Sequence, residues 1–596
     1  MPQDPDPLAL ALDFPAPTRE EWRALVAAVL AKSGVESDPE DALASITYDG
    51  IRIKPLYTAD DAPALAAAGA PGHPPYTRAA TAAGATATGW DVRTRPVGAD
   101  AAAVNRAALQ DLETGATSLW LAGVPVDDLP AVLDGVYLDL APIALDAGAH
   151  SYRAGQVLLT VAEQRGVAAA ELRGTLGADP IGLRARTGAP ADLDVLARLA
   201  ELPRGGLRVA TVDATVYHEA GASDALELGI GTAVGVAYLR ALTDAGLTVD
   251  DALAALEFRW AVGPEQFPSI AKLRAARRVW GRVAELCGAS GETRGQYQHA
   301  VTSPAMLTRR DPWVNLLRAT IGCFAAAVGG ADAITVLPFD TAIGVSDDFA
   351  RRIARNTQSI LHDESALARV VDAAGGSWFV ESLTAELAEK AWDVFTTIEK
   401  AGGALAALDG GTLEELIAPV RARRADDVAH RRAPITGVSE FAFIDEAPVV
   451  RPPLPAPPAG LLPRIRYAEA FEALRDRSDA APSRPRVYLA TLGPFAAHSG
   501  RAGFAANLFQ AAGIECVTGP VERFADAGTT VACLCSSDKL YADEAAVAAK
   551  SLRAAGASEI WLAGKVETEG VDGYVHLGCD ALAVLTRVLE TLGVAA

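Results

Sequence analysis

Cysteine is scarce in this chain, six in 596 residues. Cys287, Cys323, Cys516, Cys533, Cys535 and Cys579 include no CxxC pair. That pattern excludes a disulfide-stapled secreted fold and a zinc ribbon, and buried thiols in a reducing cytoplasm are expected. Histidine is as thin: eight residues, scattered, with His218-Glu219 an adjacent pair whose side chains diverge, so no metal site is expected. Positive charge is in deficit, 53 Lys and Arg against 75 Asp and Glu, for a net charge of -22. Such an acidic surface repels phosphate, and neither nucleic acid nor an anionic membrane is expected as a partner. No charge-free apolar run of about 18 residues occurs, so no membrane-spanning helix is expected. The opening MPQDPDPLALALDF has neither a basic start nor a long apolar core and does not read as a secretory signal. Walker A, GxSxG and HExxH motifs are all missing.

What is present is half hydrophobic and rich in Ala and Gly, enough for more than one sizeable core. Residues 1–80 read as an N-terminal arm, in which Thr18 and Glu21 form a capping-box pattern before a helix over Trp22–Leu30. Residues 81–430 alternate short β-like runs with long helical ones. The runs are Ser118–Ala122, Val136–Leu140, Leu172–Leu176, Leu207–Asp213, Phe258–Val262, Gln296–His299 and Ala333–Leu337. Helices such as Ala222–Leu242 and Ser269–Leu286 fall between them. This α/β pattern suggests a (β/α)8 TIM barrel, and an open doubly wound sheet has the same periodicity. Residues 431–484 read as a linker, with RPPLPAPPAG at Arg451–Gly460 stiff and extended. In residues 485–596, the runs Arg486–Thr491, Glu515–Thr518, Thr530–Cys535, Glu559–Ala563 and Tyr574–Leu577 alternate with helices such as Ala502–Ala511 and Asp543–Ala555. They suggest a flavodoxin-like doubly wound domain.

Six segments carry more specific information. They are PLYTAD at Pro55–Asp60, Trp90-x-Val92-Arg93 with Asn105, YHEAGA at Tyr217–Ala222, IARNTQ at Ile353–Gln358, VDAAGGSWFVE at Val371–Glu381 and ITGVSEF at Ile435–Phe441. Taken alone each reads as packing and turn chemistry. Together, in this order, they resemble the cobalamin-dependent acyl-CoA mutases, specifically the methylmalonyl-CoA mutase family, over nearly the whole chain. In catalytic members the resemblance implies an acyl-CoA threading the barrel, and adenosylcobalamin held between the barrel and a cobalamin-binding C-terminal domain.

The chain departs from that family at its working positions. A W-T-I-R-Q-Y pattern, whose tyrosine steers cobalt–carbon homolysis, becomes Trp90-Asp91-Val92-Arg93-Thr94-Arg95, with Arg95 for the tyrosine. In Y-H-M-Q-E-A-G-A the substrate-contacting histidine falls at Val216, and Tyr217 and His218 are out of register. The cofactor signature D-x-H-x-x-G becomes Ala496 to Arg501: His498 survives, while the aspartate is Ala496 and the glycine Arg501. The S-x-L run is Ser536-Ser537-Asp538 and the G-G pair is Gly564-Lys565. Arg501, Asp538 and Lys565 are expected on three loops, paired as an ionic plug, with His498 a surface loop histidine rather than a cobalt ligand.

The resemblance therefore implies a degenerate chain with no catalytic residue and no cofactor of its own. It would support a longer catalytic chain, the large subunit, in a heterodimer, and that partner would hold the adenosylcobalamin and the acyl-CoA. The alternatives are an active mutase of a divergent acyl-CoA, and a binding protein using its flavodoxin-like domain alone.

Overall fold

The computed structural model describes residues 17–61, 68–291, 293–456 and 458–594. The opening segment weighed as a signal sequence lies outside them. The arm contains the helix Arg19–Lys32, capped as its sequence suggests. Glu21 accepts from the Thr18 backbone N–H at 2.8 Å, and the Glu21 N–H donates to Thr18 Oγ1 at 3.2 Å. A two-residue ladder follows, β1 (Ser45–Ile46) against β2 (Arg52–Ile53).

Eight parallel strands then close into a barrel. They are β3 (Asp91–Thr94), β4 (Ser118–Ala122), β5 (Ile143–Asp146), β6 (Gly174–Ala178), β7 (Arg208–Asp213), β8 (Leu256–Val262), β9 (Gln298–Thr302) and β10 (Ala333–Thr335). β10 pairs back onto β3 through Ala333↔Asp91 and Ile334↔Val92. Closure removes the open-sheet alternative. Two strands differ from the sequence expectation. Val136–Leu140 alternates like a strand but is a turn, with Tyr137 and Leu140 pointing outward and exposed; the strand is Ile143–Asp146, just after Pro142. Asp91–Thr94 was not expected as a strand, because it is short and two of its four residues are charged.

The strand period explains the packing. Along β8, Phe258 and Trp260 face outward onto helices Asp224–Asp244 and Gln266–Leu286, while Glu257 and Arg259 face the bore. The close approach needs glycine: a Cβ on Gly231 would sit 2.7 Å from the Trp260 ring, and one on Gly235 2.8 Å from Phe258. Helix Asp224–Asp244 is long and apolar enough to cross a membrane, but it is largely buried against the barrel and helix Trp378–Lys400. Its apolarity has a core to serve.

The family-like segments are ties between elements. Gln358 accepts from the Trp90 indole at 3.1 Å, and Arg355 reaches Asp111 at 2.8 Å. Asp372 and Glu381 grip the buried Arg274, at 2.8 and 2.9 Å. Asn105 donates to the carbonyls of Val132 and Asp134.

The linker does not hang free. Val345 donates to the Pro452 carbonyl, and Leu461 and Ile465 donate to the carbonyls of Ala185 and Glu219, so the segment lies across the carboxyl end of the barrel. Beyond it a second parallel sheet has the order β12-β11-β13-β14-β15. Its strands are β11 (Arg486–Thr491), β12 (Glu515–Pro520), β13 (Val531–Cys535), β14 (Glu559–Ala563) and β15 (Gly573–Val575). This is the flavodoxin-like order.

Candidate functional site

In a (β/α)8 barrel, chemistry belongs at the carboxyl ends of the strands. Here the bore below that face is filled with charge. Arg93 on β3 meets Glu257 on β8 at 2.8 Å, and neither side chain has any exposure. Arg259, two residues on, meets Asp213 of β7 at 2.9 Å and Asp146 of β5 at 3.3 Å. Arg259 also donates to His299 Nδ1 at 3.2 Å, which leaves Nε2 to donate to Thr335 Oγ1 at 2.7 Å and assigns the neutral ring. Burial holds the His299 pKa well below its ordinary value, and Arg93 and Arg259 add to it. Burial alone would raise Asp213, but Arg259 and Arg186 outweigh it and hold the carboxyl low. A chain of paired side chains thus crosses the bore. Sequence reading missed these residues. The signal was Glu257 and Arg259 at alternate positions of an otherwise apolar strand.

Above the bore a cavity of about 960 Å³ opens at the barrel mouth. Arg95 and Val216, expected at the positions of the family's tyrosine and histidine, both line it, together with Trp120, Asp146, Leu462 and Arg464. The Arg95 guanidinium lies 4.8 Å from the Trp120 ring centroid, and the same indole carries Arg259 at 4.1 Å. The Val216 side chain offers no hydrogen bond. His218 turns into a separate polar cluster: Nε2 lies 2.7 Å from Ser303 Oγ and Nδ1 3.3 Å from Glu227. Lys272 bridges Glu227 and Asp224 at 2.7 and 2.9 Å. Glu219 diverges, as expected, to pair with Arg464.

The second candidate is the carboxyl edge of the β11–β15 sheet. The segment expected as a loop is helical: helix Phe495–Gln510 begins directly after Pro494 and carries Ala496, His498 and Arg501 in its first two turns. Proline before the first helical residue suits that start, since it fixes an extended entry. His498 is half-buried with its ring edge-on to Phe495, and its Nδ1 is buried without a partner. Ala496 supplies no carboxylate to orient it. Arg501 pairs with Asp538 at 2.8 Å and donates to the Ala563 carbonyl. Lys565 does not join them; it is exposed and forms no ion pair among the described residues, because it lies past the turn at Gly564 and reaches water. The plug is therefore Arg501 with Asp538 alone.

These residues do not fit a cobalamin nucleotide tail. A Cβ placed on Gly564 would stand 2.1 Å from Arg501 Nη1, so the guanidinium fills the space the glycine would leave open. Ser536 is fully buried and spends its hydroxyl on the Leu492 carbonyl at 2.9 Å. Among the described residues no group of His, Cys, Asp and Glu could hold a metal ion.

The sequence matches the family described as Methylmalonyl-CoA mutase over residues 46–123 and 121–486, through the barrel to the first residue of β11. It is 54% identical to the methylmalonyl-CoA mutase small subunit of Streptomyces virginiae, over 99% of each chain. It is 39% identical to the methylmalonyl-CoA mutase small subunit of Propionibacterium freudenreichii subsp. shermanii, over 99% of this chain and 97% of that one. With the methylmalonyl-CoA mutase of Escherichia coli it shares 30% identity, over 72% of this chain and 64% of the other.

Proposed function

The chain belongs to the methylmalonyl-CoA mutase family, and we propose that it is the small, non-catalytic subunit of a heterodimeric mutase. Its partner, the large subunit, binds adenosylcobalamin and acyl-CoA and interconverts (R)-methylmalonyl-CoA and succinyl-CoA by a radical isomerisation. This chain contributes shape.

The observation that carries the reading is the filled bore. Arg93, Glu257, Arg259 and His299 fill the bore, tied by the Arg93–Glu257 ion pair and the Arg259–His299 hydrogen bond, so they support a structural role and leave no path for a pantetheine arm. The Arg501–Asp538 pair at the second sheet supports the same reading for the cofactor. The arm supports a partner. Helix Arg19–Lys32 buries none of its residues, and Leu25 and Val29 are 72% and 62% exposed. Apolar residues on a helix with no core beneath them suit a second chain. The cytoplasm suits the six unpaired cysteines.

The test is titration of the isolated chain with adenosylcobalamin, followed by its absorbance spectrum and size exclusion. The chain elutes free of the cofactor, and the complex co-expressed with the large subunit elutes with it. Stoichiometric cobalamin on the isolated chain would overturn the reading.

A further inference from the structure

The mouth cavity is not explained by a supporting role. A filled bore beneath it would be compatible with a mouth filled by the linker. Instead about 960 Å³ remains between the strand ends and residues 458–464, near the top of the usual range for small-molecule sites, about 300–1,000 Å³.

One wall of this space holds an unmatched charge. Arg186 pairs with Asp213 at 2.7 Å and Asp179 at 3.2 Å, and Arg464 pairs with Glu219. Arg95 makes no hydrogen bond and no ion pair among the described residues; its guanidinium lies over the face of Trp120. Arg95 is exposed where it lines the cavity. Against the same indole, the Nη2 of Arg259 is buried and also without a partner. A guanidinium whose donors meet no protein acceptor is free to take one that enters the cavity. The planar fork matches a carboxylate or a phosphate oxygen pair.

The rest of the lining chooses between the two. Arg186 and Arg464 are matched by Asp213 and Glu219 on the same walls, and Asp146 is held by Arg259. A dianionic phosphate would meet those carboxylates, whereas a single negative charge is matched by the one free guanidinium. Val124, Val216 and Leu462 supply apolar surface beside it. We propose that the mouth cavity binds a free monocarboxylate with an apolar body, its carboxylate on the Arg95 guanidinium and its body against Val124, Val216 and Leu462. The acid is not a coenzyme A thioester, because the bore gives no passage to the arm. The site stands independently of cobalamin and of the partner's chemistry.

The experiment uses the full-length chain and saturation-transfer NMR with phenylacetate, phenylacetamide, inorganic phosphate and coenzyme A as probes. Phenylacetate binds saturably at one site, and the isosteric neutral amide, phosphate and coenzyme A do not compete. Arg95→Gln weakens phenylacetate by about tenfold or more, the value of one charge-assisted contact. Val216→Trp, which fills the cavity and leaves Arg95 in place, abolishes binding; it keeps the test decisive where Arg95→Gln alters folding, as checked by circular dichroism. Equal binding of acid and amide, preference for phosphate or coenzyme A, unchanged affinity in both variants, or no saturable binding would each overturn the assignment.

Discussion

Glu257→Leu is the sharpest probe of the ionic bore. Arg93 and Glu257 have no exposed side-chain surface and lie 2.8 Å apart. Without the carboxylate, Arg93 retains only Ser118 Oγ at 3.3 Å, Tyr297 Oη at 3.5 Å and the half-exposed Asp91 at 3.7 Å. Removing one partner of a buried pair costs about 3–5 kcal/mol, mostly the price of the stranded charge. The double variant Arg93→Met/Glu257→Leu strands nothing, and should return to within about 2 kcal/mol of the parent, the remainder being imperfect packing. Urea unfolding followed by circular dichroism gives all the free energies, read as a double-mutant cycle with Arg93→Met. If the bore is structural, the folded double variant also supports full turnover in the complex. A Glu257→Leu cost below about 1 kcal/mol, or a double variant no more stable than that single one, would refute the reasoning.

Two further outcomes follow from other parts of the molecule. Asp49 borders the polar cavity beside His218; burial and then Asp224 raise its pKa from 3.8 to about 6. A carboxyl raised on folding withdraws stability as pH climbs from about 4 through 6. Asp49→Asn, whose amide oxygen can still accept from the Ala225 N–H, should therefore match the parent at pH 4 and exceed it by about 1–2 kcal/mol at pH 8. The ceiling of about 3 kcal/mol is discounted for cavity water; parallel melting curves across that range check it. In the arm, Leu25→Asp/Val29→Asp should leave this chain's own stability within about 0.5 kcal/mol and weaken its binding to the large subunit by about tenfold or more, measured by analytical ultracentrifugation.

The architecture was legible where apolar period was strong. β7, β8 and β14 read directly from the runs LRVATVD, FRWAV and EIWLA. It was illegible where the bore is polar. Asp91–Thr94 puts Arg93 inward, so the strand lacks the apolar face that marks one. Val136–Leu140 alternates as a strand should, but nothing beside it offers a ladder. The positions Arg95, Val216, Ala496, Arg501 and Asp538 were expected as replacements from motif register alone. Their surroundings could not. The pairing of Arg501 with Asp538 and not Lys565, the helix under His498 and the free guanidinium of Arg95 depend on loop paths that one sequence does not encode locally.

The central claim is that this chain supplies no chemistry, and one measurement bears on it most directly. The complex is reconstituted from the large subunit and either the parent chain or His498→Ala, and cobalamin content and isomerisation rate are measured on the same samples. The account predicts one cobalamin per heterodimer and the same turnover with either chain. Two cobalamins per heterodimer, or a loss of about tenfold or more in turnover with His498→Ala and the dimer intact, would contradict it.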